Sequence, residues 1–164
     1  MKQLIIVRHA KSDWENPDLR DFDRPLNKRG KTNAPEMAHR LVKKQIKPEL
    51  IVSSTALRAL TTAKFFADTW QMPLADIQGQ PSIYEASVNT LLKVINNFDN
   101  KYNMIAMFGH NPGLTDLVYY LDGHIYEMPT CSVVILEFPF DDWAMISEGT
   151  AKVVLFDYPK SGDD

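Results

Sequence analysis

Short apolar runs alternate along the chain with segments in which apolar residues recur every three or four positions. The short runs are bounded by polar residues, which is typical of buried strands, and the longer segments are typical of amphipathic helices. Strands are predicted at residues 4–7, 50–52, 104–108, 133–138 and 153–156, with a short extended piece at 83–84. Helices are predicted after Asn27, after Ser54, after Ser87 and after Gly113. Asn27 and Ser87 are residue types that cap helix N-termini.

The order of these elements is strand, helix, strand, helix, strand, helix, and then strands. This order predicts an α/β fold, a three-layer α/β/α sandwich with a mostly parallel mixed sheet. The last two strands have no helix between them, so an antiparallel pair is expected there. The long aperiodic segment from residue 10 to residue 26 predicts a loop, and loops of this length are often functional.

Charged and titratable side chains follow three of the predicted strands. Arg8 and His9 follow the first strand, Arg58 lies shortly after the second, and His110 follows the strand at 104–108. In open α/β sheets, ligands bind at the carboxyl ends of the strands. Two arginines and two histidines are therefore expected to converge on one rim.

This combination of residues favours phosphoryl chemistry. The arginine guanidinium presents a planar fork of donors that matches phosphate oxygens. A neutral imidazole carries an unprotonated nitrogen that can attack phosphorus and form a phosphohistidine. Such a scheme requires no metal and no other cofactor. Taken singly, each residue has an ordinary explanation: a strand-end histidine often caps a carbonyl, and an arginine often forms a surface ion pair. The coincidence at three strand ends favours the functional interpretation.

Composition narrows the class of protein. The chain has 164 residues, the size of one ordinary domain, so we expect a single domain over residues 1–164. A formal net charge of −3 argues against a general nucleic-acid binder. The only cysteine is Cys131, and the four histidines lack metal-binding spacing, so neither a disulfide nor a metal site is expected.

The first apolar run is too short for a signal peptide or a membrane span, so a cytoplasmic location without membrane association is expected. Residues 160–164 are expected to form a short frayed tail.

The motifs resemble those of the histidine phosphatase superfamily, which has the phosphoglycerate mutase-like fold, and in particular its small SixA-type phosphohistidine phosphatases. The segments that carry the resemblance are Arg8-His9-Ala10, Pro25-Leu26-Asn27-Lys28-Arg29-Gly30, the set Ser54, Arg58, Ala59 and Thr62, and Gly109-His110-Asn111-Pro112-Gly113. They occur in the family's order between residue 4 and about residue 122.

The resemblance implies a role for each matching residue. His9 would be the phosphorylated nucleophile, and Arg8, Arg58 and His110 would bind the phosphoryl oxygens together with it. Glu85 lies where many members carry the general acid that protonates the leaving group. An exposed carboxylate at a helix start explains Glu85 equally well.

Two positions depart from the family pattern. Ala10 replaces the usual glycine after the nucleophile, so the loop is expected to have ordinary dihedral angles there. Glu15 stands where related mutases have an asparagine that touches the phosphate. A carboxylate would repel the phosphate, so we expect Glu15 to point away or the loop to differ. The roles of Lys11 and Trp14, on the same loop, stay open.

The length of the chain bears on the substrate. It leaves no room for the large lid insertions of the mutases, so an open pocket is expected. An open pocket suits phosphohistidine on a protein as the leading substrate. Small phosphate monoesters are the alternative within the same chemistry, and a non-catalytic module that binds phosphorylated proteins is the alternative of another class. The sequence leaves the oligomeric state and any regulator undetermined.

Overall fold

The computed structural model describes residues 1–159, and the predicted frayed tail at 160–164 lies outside the described residues. A central sheet contains six strands in the order β3-β2-β4-β1-β5-β6. The strands are β1 Lys2–Arg8, β2 Leu50–Ser53, β3 Gln78–Gly79, β4 Met104–Gly109, β5 Val133–Phe138 and β6 Lys152–Asp157. The helices are α1 Lys28–Lys43, α2 Leu57–Thr69, α3 Val88–Asn96 and α4 Gly113–Asp122. The mixed sheet confirms the predicted α/β fold class.

The first four strands run parallel, while β5 is antiparallel to β1 and β6 is antiparallel to β5. Alternate residues of β1 therefore face opposite layers, as in any strand. Leu4 and Ile6 pack into the core on the α3 and α4 side, and Ile5 and Val7 pack into the core on the α1 and α2 side. All four are fully buried, so β1 is central and both faces of the sheet are covered.

The predicted helix caps form. The Asn27 side chain accepts a hydrogen bond from the Gly30 N–H at 2.8 Å. The Ser87 hydroxyl accepts one from the Thr90 N–H at 3.2 Å. Each cap satisfies a donor that the first turn of a helix otherwise leaves unpaired.

The prediction of an extended piece at residues 83–84 is wrong in part. Pro81–Ile83 forms a 3₁₀ turn, and only Tyr84 has extended dihedral angles. Pro81 fixes φ at the value that such a turn needs. The N–H groups of Ile83 and Tyr84 then bond back to the carbonyls of Gln80 and Pro81. The loop at 10–26 likewise contains a 3₁₀ turn, Asp21–Asp23, and an isolated bridge between Ser12 and Leu26.

Candidate active site

The structure brings the predicted strand ends together. Arg8 at the end of β1 is in register with Gly109 at the end of β4, and the His9 N–H donates to the Gly109 carbonyl at 3.1 Å. The His9 carbonyl accepts from the Cys131 N–H at 2.9 Å. His9 is thus fixed by backbone bonds to both neighbouring segments, and its side chain is largely buried at the carboxyl end of the parallel strands.

Hydrogen bonds to both ring nitrogens determine the tautomer of His9. Nδ1 lies 2.7 Å from the Ala10 carbonyl oxygen, which can only accept, so Nδ1 carries the proton. Nε2 lies 3.4 Å from Nε of Arg58, which can only donate, so Nε2 holds a lone pair. The nitrogen that faces Arg58 is therefore the nucleophilic one.

Burial keeps the His9 ring neutral. Loss of solvation, reinforced by His110, Arg58 and Arg8, lowers the pKa of His9 to about 3, although the hydrogen bond to Ala10 acts in the opposite direction. The lone pair on Nε2 is consequently available at neutral pH without any base to remove a proton.

His110 lies beside His9, with the two ring centroids 5.2 Å apart. Its Nε2 is 2.7 Å from the Ser54 hydroxyl oxygen. Burial lowers the pKa of His110 to about 4, and Arg58 acts in the same direction. His110 is therefore a neutral hydrogen-bonding group at neutral pH.

Arg58 projects from the first turn of α2 and is buried rather than solvated. Its Nη1 donates to the Asp21 backbone carbonyl at 2.6 Å, and its Nη2 donates to the Asp21 carboxylate at 2.9 Å. These bonds occupy the tip of the guanidinium and leave the Nε edge facing His9.

Asp21 is one of the residues of this site that the sequence did not reveal. One carboxylate oxygen accepts from the Tyr84 hydroxyl at 2.6 Å as well as from Arg58, and the other accepts from Nε and Nη2 of Arg24 at 3.1 and 3.0 Å. Partial burial raises the pKa of Asp21, but the hydrogen bonds from Tyr84, Arg58 and Arg24 outweigh it and hold the pKa well below its usual range. Asp21 is thus a fixed anion.

Arg24, also unassigned from the sequence, completes this loop. Its Nη1 donates to the Ser12 hydroxyl at 2.6 Å, and its guanidinium stacks on the indole of Trp14 at 3.5 Å. Arg24 is buried whereas Trp14 is mostly exposed. One feature of the sequence could have indicated this pair. Asp21 lies three residues before Arg24, and Arg24 directly precedes the Pro25-Leu26 motif.

Arg8 is oriented by the segment before β5. Its Nη1 donates to the Met128 carbonyl at 2.8 Å, and that same carbonyl accepts from the Asn111 side chain at 2.9 Å. Arg8 also lines a groove of about 600 Å³ with Asn111, Thr115, Asp116, Glu127 and Met128. Of the four residues predicted to bind phosphate, Arg8 is the one that lines this groove.

Glu85 is exposed and has a left-handed backbone conformation, with φ of 54°. Burial raises the pKa of the neighbouring Tyr84 hydroxyl, and interactions with the carboxylates of Asp21 and Glu85 raise it further. The Tyr84 ring in turn packs edge-on against His110, with centroids 5.4 Å apart. Glu85 therefore lies near the cluster, on its solvent side.

The structure shows how the chain accommodates its two departures from the family pattern, Ala10 and Glu15. Ala10 is fully buried and is not among the residues with positive φ, which confirms the expectation of ordinary dihedral angles. Glu15 is exposed and lines a groove with Asn27 and Lys28. None of the four predicted phosphate-binding residues lines this groove. Lys11 is half-buried, and its carbonyl accepts from the Asn27 N–H at 3.0 Å.

Within residues 1–159, no three side chains of His, Cys, Asp or Glu are grouped so that they could hold a metal ion. No helix in the same range is long and apolar enough to cross a bilayer.

Comparison with known proteins agrees with this geometry. Residues 4–91 match the family described as the histidine phosphatase superfamily (branch 1). An uncharacterized chloroplastic protein of Arabidopsis thaliana is 31% identical over 150 residues, which span 87% of this chain and 69% of that protein. The crystal structure of the putative phosphohistidine phosphatase SixA from Agrobacterium tumefaciens is 26% identical, with a TM-score of 0.78 over 96% of this chain and 98% of that one.

A structure of the protein histidine phosphatase SixA complexed with tungstate has a TM-score of 0.82 at 21% identity, over 97% of this chain and 98% of that one, and shows the same fold. The match to the family extends over more than half of the chain and contains three of the four residues predicted to bind the phosphoryl group. The chain therefore belongs to the histidine phosphatase superfamily, and it is a histidine-type phosphatase of SixA-like fold.

Proposed function

We propose that the protein hydrolyses phosphohistidine on other proteins through a phosphohistidine intermediate on His9. The observation that carries this proposal is the pair of hydrogen bonds on the His9 ring. The Ala10 carbonyl holds the proton on Nδ1, and Nε2 presents its lone pair beside Arg58. A nucleophile with its lone pair already in place needs only a phosphoryl group held in line with it.

The first half-reaction transfers the phosphoryl group to the enzyme. The Nε2 lone pair forms a bond to phosphorus while the bond to the leaving group breaks, and the leaving group keeps that electron pair. Arg8 and the Nε edge of Arg58 balance the negative charge on the transferred oxygens, and His110 donates a hydrogen bond to one of them.

The second half-reaction restores the enzyme. A water molecule attacks phospho-His9, the P–N bond breaks, and its electron pair returns to Nε2. Inorganic phosphate leaves, with the water's proton passing to solvent or to phosphate. His9 is then ready for another cycle, with its Nδ1–H still donating to the Ala10 carbonyl.

Two observations support phosphohistidine as the substrate. Of the similar SixA structures, one is of a putative phosphohistidine phosphatase and the other is of a protein histidine phosphatase. The groove beside Arg8 also carries two carboxylates, Asp116 and Glu127. These would repel a second phosphate on a small metabolite but would favour a peptide segment with basic residues.

The first test is turnover of p-nitrophenyl phosphate in the presence of a chelator. We expect His9→Ala to lower kcat by roughly a thousandfold or more, because the nucleophile is lost. His39→Ala removes an exposed histidine on α1 and serves as the matched control. Equal turnover in His9→Ala and the wild-type protein would remove the catalytic role of His9, and absence of turnover in both proteins would favour the binding-module alternative.

Hydrolysis of small phosphate monoesters is the second candidate, and the position of Glu85 near Tyr84 favours it. A protonated imidazole leaves readily, whereas an alkoxide needs a proton from a general acid. Glu85→Gln is expected to lower turnover of alkyl phosphates by roughly a hundredfold and to leave turnover of a phosphohistidine peptide within about twofold. An equal effect on both substrates would contradict the acid role of Glu85.

A further inference from the structure

Ser54 takes no part in the proposed reaction, yet it touches His110, one of the groups that do take part. It directly follows β2, it is fully buried, and its N–H donates to the Phe108 carbonyl at 3.0 Å. Phe108 belongs to β4, the strand that leads into His110. The Ser54 side chain is therefore fixed relative to His110, and its Oγ lies 2.7 Å from His110 Nε2.

The direction of this hydrogen bond follows from what the Ser54 hydroxyl can donate and accept. Its Oγ accepts a hydrogen bond from the Ala56 N–H at 3.2 Å, and the hydroxyl has a single proton to donate. Within residues 1–159, the acceptor that this proton finds is Nε2 of His110. If Nε2 carried a proton and donated instead, the serine proton would be buried without an acceptor, which is unfavourable.

The proton of the neutral His110 ring then belongs on Nδ1. This nitrogen is buried and forms no hydrogen bond to any described residue. A phosphoryl oxygen accepts but cannot donate, so only the tautomer with a proton on Nδ1 can stabilise it while Nε2 is engaged with Ser54. The low pKa of His110 means that the ring has one proton to place at neutral pH.

We propose that Ser54 is a positioning residue, whose hydroxyl donates to Nε2 of His110 and so fixes the proton on Nδ1 for the phosphoryl group. This inference rests on the proposed function of the site. It assigns the serine a role in selecting the tautomer of its partner, and not a contact with substrate.

Nitrogen-15 NMR of the His110 ring tests the proposal without any turnover. In the wild-type protein near pH 7, we expect the chemical shifts of a protonated Nδ1 and an unprotonated Nε2. Ser54→Ala should move both shifts towards a mixture of the two tautomers, and Ser54→Thr, which keeps the hydroxyl, should restore them. A wild-type ring with its proton on Nε2 would overturn the proposal.

Kinetics provide the second measurement. Ser54→Ala is expected to lower kcat/KM for p-nitrophenyl phosphate roughly five- to tenfold, the effect of about one hydrogen bond. Ser53→Ala is the matched control, because Ser53 is equally buried but its hydroxyl donates to the Ser54 carbonyl at 2.9 Å. Equal losses in the two variants would also overturn the proposal. A wild-type protein without turnover would contradict the proposed function, and the NMR measurement would still decide the tautomer.

Discussion

At the scale of single residues, the position of Arg58 depends on a carboxylate that is 37 residues away in the sequence. A long flexible side chain loses conformational freedom when it is fixed, and an unpaired guanidinium is costly to bury. Asp21 offsets both costs by accepting two hydrogen bonds from Arg58, one at its carboxylate and one at its backbone carbonyl. Because these bonds use Nη1 and Nη2, Asp21 aims the Nε edge of Arg58 at His9.

Asp21→Asn tests this arrangement. The variant keeps the shape of the side chain but weakens the bonds to Arg58 and Arg24, because a neutral amide replaces a carboxylate. Hydrogen bonds to charged groups contribute about 1.5–3 kcal/mol, so kcat/KM should fall roughly ten- to a hundredfold. Asp23→Asn is the control: Asp23 pairs at 2.9 Å with Arg20, an exposed side chain, and exposed pairs contribute little. If both variants kept wild-type kcat/KM, Asp21 would not position Arg58.

Residue-level prediction succeeded where a side chain directly follows a strand. His9 and His110 each lie at a strand end, and Arg58 lies in the first turn of the helix after β2, so topology alone brings them together. Their chemical roles stay predictions until the variants are measured. Asp21 could not be found in this way, because it lies in an aperiodic loop whose path depends on Arg24 and Trp14.

At the scale of elements, the start of α1 packs directly against the segment that follows His9. A Cβ placed on Gly30 would lie 2.2 Å from the Lys11 carbonyl oxygen, which is backbone and cannot swing away. The same carbonyl accepts from the Asn27 N–H at 3.0 Å. The motif at residues 25–30 therefore needs glycine at its last position so that the helix can approach this closely.

Gly30→Ala is expected to damage both stability and catalysis. The forced shift of Lys11 should lower the free energy of unfolding by about 1–3 kcal/mol, as overpacking does. It should also lower kcat, because the adjacent Ala10 carbonyl holds the proton on His9. Urea denaturation and turnover measure the two effects. Gly79→Ala is the control, since its Cβ would meet only a Thr55 methyl at 3.0 Å at an exposed position. A Gly30→Ala protein as stable as wild type would contradict this packing.

Element prediction succeeded for long periodic segments and for short buried apolar runs, and it failed between residues 78 and 84. The helix after Asn27 has both a cap and a sustained apolar face, so local and tertiary preferences agree. The strand β3 has only two residues, Gln78 and Gly79, which show no periodicity. The turn at Pro81–Ile83 depends on Pro81, which lies two residues before the pair Ile83-Tyr84, and these two residues also suit a strand. Short elements of this kind are decided by their neighbours in the fold.

At the scale of the whole molecule, the two buried histidines link the active site to stability. An unfolded histidine has a pKa near 6.5, whereas burial lowers the pKa to about 3 in His9 and to about 4 in His110. Between pH 6.5 and pH 4 the unfolded chain therefore binds more protons than the native protein. Stability must rise with pH across this range, and it must be lost as the pH falls below about 6.5.

The size of this effect can be estimated and measured. Each histidine whose pKa is lowered in this way reduces the free energy of unfolding by up to about 1.4 kcal/mol for each unit by which the pH falls. From pH 7 to pH 5, the pair should therefore lower the free energy of unfolding by roughly 4 kcal/mol. Asp21 does not contribute here, because its pKa lies below its usual value and it is ionised in both states above about pH 5. His9→Gln should remove about half of the loss in urea denaturation at the two pH values, whereas His39→Gln, on the exposed face of α1, should leave the loss unchanged. Equal pH dependence in His9→Gln and wild type would show that His9 is protonated in the native protein at pH 5, and a protonated His9 has no lone pair on Nε2 with which to attack phosphorus.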